Sequence, residues 1–268
     1  VEDMSYMFSD CTNLYSLDLS NFDAIAVKNM NHMFYNCFAL KSLNLEKFTS
    51  SNIVDIRFLF NNCSNLEYLN ISNLNTAQIT NMEYIFYGCE KLPSLDITNL
   101  ITSQVKNMGY MFANCFSLNE LNLSSFKTSS VENMGGLFKN CKTFKSINLS
   151  NFDTSKTNNM ESMFYGCSNL TTIDLNYLNT KNVKYMEYMF AYCTLLSTLN
   201  LTTFETENVE DMSHMFQNCE SLTYLNISSF KAGKVKNMGY MFDSCINMKS
   251  IDLFVSFEKT IIEEDDEE

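Results

Sequence analysis

The chain has 268 residues, 46% of them apolar and 18% charged, and ten Cys, 17 Met and 22 Phe stand against one proline, seven glycines and no tryptophan. That much apolar surface can bury a core, which excludes general disorder. Lys and Arg number 18 against 31 Asp and Glu, a net charge of −13; this argues against nucleic acid or an anionic membrane surface as partner, since both need a basic face.

The first element of order is a period. Cys11, Cys37, Cys63, Cys89, Cys115, Cys141, Cys167, Cys193, Cys219 and Cys245 are spaced by 26 residues throughout. Such a period marks a solenoid. A Met stands seven residues before each Cys, Ile56 being the exception, and a Phe three residues before each.

Within one repeat, Met30, Met33, Phe34 and Cys37 fall at i, i+3, i+4 and i+7. That spacing predicts a two-turn helix. Asn29 precedes it in a column of Asn and Asp, broken only at Tyr185, which reads as N-caps. Leu40, Leu43 and Leu45 follow, and the last two alternate with polar residues as in a half-buried strand. Phe48 and Ile53 anchor a return stretch. The expectation is an α/β solenoid: a right-handed, leucine-rich-repeat-like coil of ten 26-residue repeats, with one parallel sheet and short helices. At strand spacing ten coils make a rod or shallow arc of roughly 45–50 Å. Residues 1–253 form the single expected domain. Apolar residues in 254–262 read as a C-terminal cap, and the acids of 263–268 as a solvated tail.

The repeat M-F-x-x-C-x-x-L-x-x-L-x-L resembles the leucine-rich repeats of BspA-like surface proteins. Its 26-residue length with N-M-x-x-M-F is similar to the bacterial surface-protein repeat family of mycoplasmas, lactobacilli and other low-GC bacteria. The likeness spans about residues 3–253. It implies a surface-exposed or secreted solenoid associated with adhesion and host contact, and it implies no reaction. The anchor is expected outside this chain.

The columns suggest where a ligand would bind. Leu17 and Leu19 point inward, so the residue between them points out. That column reads Asp18, Asn44, Asn70, Asp96, Asn122, Asn148, Asp174, Asn200 and Asn226. It is either an open polar strip for a partner or a solvated ladder of amides bonded up and down the sheet. Tyr68 and Tyr224 interrupt the flanking Ser/Thr column. A second stripe holds Tyr6, His32, Phe58, Tyr84, Tyr110, Tyr188, His214 and Tyr240, broken by Gly136 and Ser162. It is either half-buried cover or a protein-binding surface with a notch in the middle. Tyr84, Tyr110, Tyr188 and Tyr240 are its candidate contacts. The Thr column from Thr76 to Thr206 is expected to make side-chain-to-backbone turn bonds. The ten thiols are expected as a buried ladder, unreactive until the chain unfolds, with disulfides the less favoured alternative because stacked side chains run parallel.

No catalytic or phosphate-binding motif occurs, and two histidines cannot supply acid–base chemistry. No cofactor and no metal are expected, and no apolar run approaches the ~18 residues that would insert in a membrane. The function expected is non-enzymatic binding of an extracellular protein or glycan. The alternatives are a structural subunit self-assembling through coil ends or faces, and an ice- or mineral-binding surface; association of copies through an uncapped N-terminal end is a further expectation.

Overall fold

A chain that repeats every 26 residues can satisfy its backbone by pairing each coil with the next. The computed structural model, which describes residues 1–253, does this in every coil along one side and intermittently along the other. The expected cap at 254–262 and the tail at 263–268 lie outside the described residues.

On the paired side every second amide reaches the following coil. Met30 N–H donates to the Asp55 carbonyl at 2.9 Å, His32 to Arg57 at 3.0 Å, Phe34 to Leu59 at 3.0 Å and Asn36 to Asn61 at 2.8 Å. The amides between them close tight turns within their own coil: Met33 to the Met30 carbonyl at 3.1 Å, Tyr35 to His32 at 3.1 Å and Cys37 to Phe34 at 3.2 Å. The expected helix is therefore replaced by a chain of turns, and no helix occurs among the described residues. His32 and Asn36 sit at φ 55° and 57°, a left-handed conformation that ends any right-handed helix. The same two columns are left-handed in every repeat, from Tyr6 and Asp10 to Tyr240 and Ser244. Consecutive three-residue turns still bury Met30, Met33, Phe34 and Cys37 completely. The Asn29 column does accept a backbone bond, Asn31 N–H to Asn29 Oδ1 at 3.0 Å, but as an Asx turn with no helix behind it.

The opposite side is less regular. Strands β1 (Ser42–Asn44) and β2 (Tyr68–Asn70) pair in parallel, as do β3 (Tyr224–Asn226) and β4 (Ser250–Asp252). These two small sheets stand where one continuous sheet was expected. Between them, no inter-coil backbone bond forms over 94–96, 120–122, 146–148, 172–174 or 198–200.

Ring spacings vary across the section of the stack. Along the Tyr/His stripe the centroids are 4.3–5.0 Å apart. Along the buried Phe8–Phe242 column they are 5.4–6.0 Å apart. Spacing is thus smaller at the stripe than in the Phe column; we call the stripe side the inner face and the L-x-L side the outer face. Parallel strands pair at about 4.8 Å, as β1 does with β2 and β3 with β4; the L-x-L segments of the middle coils make no such pairing.

The core is a set of one-residue columns. Phe34, Phe60, Phe86, Phe112, Phe138, Phe164, Phe190 and Phe216 are fully buried and stacked ring on ring. The thiols run beside them. Each thiol from Cys37 to Cys245 donates to the Phe carbonyl of the preceding coil at 3.0–3.4 Å. All ten cysteines are free. Burial pushes the thiols of Cys37, Cys115 and Cys167 up to about 12. Cys11, in the first coil, is exposed, which corrects the expectation of a uniformly unreactive column. The Thr column is buried too, Thr76 to Thr206 being at most 1% exposed. Each hydroxyl both donates to and accepts from the next coil, as Thr154 does with the Asn179 carbonyl at 2.9 Å and the Asn179 amide at 2.8 Å. The side-chain-to-backbone bonds expected of this column are therefore bonds between coils, and the column is a buried seam.

Candidate binding surfaces

The polar column lies on the outer face. Asp18, Asn44, Asp96, Asn122, Asn148, Asp174 and Asn200 are exposed, while Asn70 and Asn226 are half-buried. Tyr68 and Tyr224 are 55% and 48% exposed beside them. One of the two readings of this column has the amides bonding from coil to coil. Instead, Oδ1 of each accepts the N–H two residues on in its own coil, from Ser20 N–H on Asp18 at 2.9 Å to Ser228 N–H on Asn226 at 3.0 Å. The column holds only Asp and Asn because both side chains carry that oxygen and turn the chain after L-x-L. The second oxygen or the NH2 remains for solvent or a ligand.

Clefts lie between neighbouring coils on the part of this face where the backbone is unpaired. One of about 480 Å³ lies between 146–150 and 172–177. One of about 390 Å³ lies between 173–176 and 197–200, reaching Tyr224. Two more, of about 520 and 540 Å³, open between coils from Ser94 to Asn148. Asp174 lines both of the first pair. Tyr177, which the sequence reading did not single out, lines the first and is 57% exposed. Its column is rich in Asn, and those side chains reach back to the preceding coil, as Asn151 Nδ2 does to the Leu123 carbonyl at 2.9 Å. An aromatic in that column was the available signal, because a ring cannot make this bond and must project outward.

The inner stripe forms two stacks. Tyr6, His32, Phe58, Tyr84 and Tyr110 form the first, and Tyr188, His214 and Tyr240 the second. Tyr84, Tyr110 and Tyr188 are half-buried and Tyr240 is exposed at 67%. The notch expected at Gly136 and Ser162 is covered. Tyr110 leans across Gly136, where a Cβ would come within 2.4 Å of its ring, and its hydroxyl donates to Glu161 Oε1 at 2.8 Å, two coils on. Lys139 lies over the Tyr165 ring at 4.6 Å, a cation–π contact. Beside this cluster Glu187 Oε2 is buried without a hydrogen-bond partner. Burial, with Glu161 and Asp211 adding repulsion, raises the Glu187 carboxyl to about 7. Among the described residues no group of three His, Cys, Asp or Glu side chains is placed to hold a metal ion, and no helix is long and apolar enough to cross a membrane.

Comparison with known proteins agrees with this architecture. A family model described as "Mycoplasma protein of unknown function, DUF285" matches residues 1–68, 54–173 and 136–253. No curated protein matches the chain. Among solved structures, a leucine-rich cell surface protein from Faecalibacterium prausnitzii is 15% identical, with a TM-score of 0.51, over 96% of this chain and 70% of that one. A leucine-rich repeat protein from Bacteroides ovatus is 21% identical over 94% of this chain and 76% of that one, with a TM-score of 0.39. The Faecalibacterium protein supports the repeat-solenoid fold, and the fold alone.

Proposed function

The chain belongs to the DUF285 family of Mycoplasma proteins of unknown function, and on that footing we propose that it is a non-enzymatic, surface-exposed repeat scaffold that binds an extracellular protein or glycan, as in adhesion. One observation carries the reading. The inner-face backbone and the core are satisfied coil by coil, while Asp18 to Asn226 repeat a polar group along the outer face, each held by its own Asx turn. A repeated ligand can engage several such positions at once, and effective concentration then raises the avidity of weak single contacts. The name of the Faecalibacterium relative supports a cell-surface location.

The test is binding of the purified chain to immobilised extracellular matrix proteins and to a glycan array, with light scattering of the chain alone alongside. Saturable binding to a defined ligand by a monomeric chain is the expected result. Self-assembly without binding to any of these ligands would overturn the proposal in favour of a structural subunit.

A further inference from the structure

We propose that the paired clefts meeting at Asp174 are a saccharide site, and that its ligand is a neutral hexose oligosaccharide. This assignment rests on the scaffold reading above and gives it a ligand class. The two clefts measure about 480 and 390 Å³, within the usual range of small-ligand sites, about 300–1,000 Å³. Tyr177 flanks one and Tyr224 the other. The Tyr224 hydroxyl donates to Asp252 Oδ2 at 2.6 Å, which holds its ring in place. An aromatic face is electron-rich, and the C–H bonds on the apolar face of a pyranose are its natural complement.

Hydroxyl partners are present between the rings. Asp174 Oδ1 is occupied by the Asn176 amide at 3.0 Å, so its other oxygen is the one offered to a ligand. Asn148 offers its NH2 group and Asn200 the second N–H of its own, because their oxygens hold Ser150 and Thr202 and the other Asn200 N–H reaches Asn176 Oδ1 at 3.3 Å. The segments 172–174 and 198–200 add backbone groups that no neighbouring coil pairs.

Charge and topology decide against other ligands. The residues lining the two clefts include no Lys, Arg or His, and their one charged side chain is Asp174. A sulfated or phosphorylated ligand would meet repulsion there and find no counter-charge. A peptide adding as a strand needs a free sheet edge, yet each of these L-x-L segments has another coil on both sides. A neutral polyol needs only the ring faces, the amides and the carboxylate that are present.

The test uses the full chain, an array of glucan, galactan and mannan oligosaccharides with heparin oligosaccharides beside them, and calorimetry on the strongest hit. Tyr177→Ala removes a ring that is already largely solvent-exposed. Asp174→Asn keeps the oxygen that turns the chain, as the Asn of six other coils does, and replaces the outward acceptor with a donor. Melting temperature checks that both variants remain folded. The expected result is binding of a neutral oligosaccharide, no binding of heparin fragments, and a loss of about tenfold or more in affinity in each variant. The assignment is overturned if no neutral oligosaccharide binds, or if both folded variants bind as the parent does. If saccharides fail while an immobilised matrix protein still binds, the saccharide assignment falls and the scaffold reading stands. If both fail and the chain assembles with itself, both fall.

Discussion

Replacing Glu187 with Gln should make the protein more stable at neutral and alkaline pH. The carboxyl is half-buried beside Glu161 and Asp211, and its Oε2 has no partner. Its folded value of about 7 lies above the ordinary 4.5. An acid raised on folding holds its proton longer in the native state than in the unfolded chain. Stability from this group is therefore fully present below about 4.5, declines as pH climbs to about 7, and stays low beyond it. The full gap corresponds to about 3 kcal/mol. Glu187 is about half exposed, and solvent screening reduces that to about 1–2 kcal/mol. Gln has nearly the same shape and never ionises, so the variant should lack the decline. Urea unfolding of both proteins at pH 4.5 and pH 8 measures it: near-equal stability at the lower pH, and a variant about 1–2 kcal/mol more stable at the higher. An equal difference at both values, or a less stable variant at pH 8, would refute the burial argument.

Four further outcomes follow from the geometry. A thiol reagent at pH 8 should modify Cys11 at once and Cys245 slowly, leaving Cys37 through Cys219 until denaturant is added; more than two equivalents in the native state would contradict the buried ladder. Phe112→Ala should cost about 3–5 kcal/mol, since the ring is fully buried between Phe86 at 5.6 Å and Phe138 at 6.0 Å; a loss below about 1 kcal/mol in urea unfolding would remove that column from the core. Thr154→Val should cost about 1–2 kcal/mol by stripping partners from the Asn179 amide and carbonyl, and wild-type-like melting would show that the seam bonds to water equally well. In hydrogen exchange the amides of Met108, Tyr110, Phe112 and Asn114 should be protected far longer than those of Leu121, Ile147 and Ile173; equal protection would mean that the outer face pairs in solution.

The period, the core columns and the thiol ladder could be read from spacing because stacking places like on like. Met30, Met33, Phe34 and Cys37 are all inside, as their pattern requires. The helix was the wrong local explanation of that pattern, since linked tight turns bury the same four positions. A signal against it was present: Asn36, Asn62, Gly88, Asn114, Asn140, Gly166 and Asn218 share one column, and Asn and Gly are the residues that most readily turn left-handed. The open outer face was beyond sequence reasoning. It is an interruption of strand pairing from residue 94 to 200, in coils whose L-x-L pattern is the same as that of the paired ones, so a 26-residue spacing does not encode it. Asp174 and Tyr224 were readable as outward residues, whereas Tyr177 needed the knowledge that its Asn neighbours reach backward.

Backbone pairing on the inner face has a directional grammar. Each coil passes four N–H groups forward and receives four on its own carbonyls, with the same spacing at almost every junction. Any coil can therefore follow any other, and excising one 26-residue unit would bring matching donors and acceptors back together. Repeat number becomes a variable that recombination can change without redesigning the fold. The contact of Tyr110 across Gly136 to Glu161 is a departure from this rule: it spans two junctions, and so makes those three coils a block that can only be inherited in order.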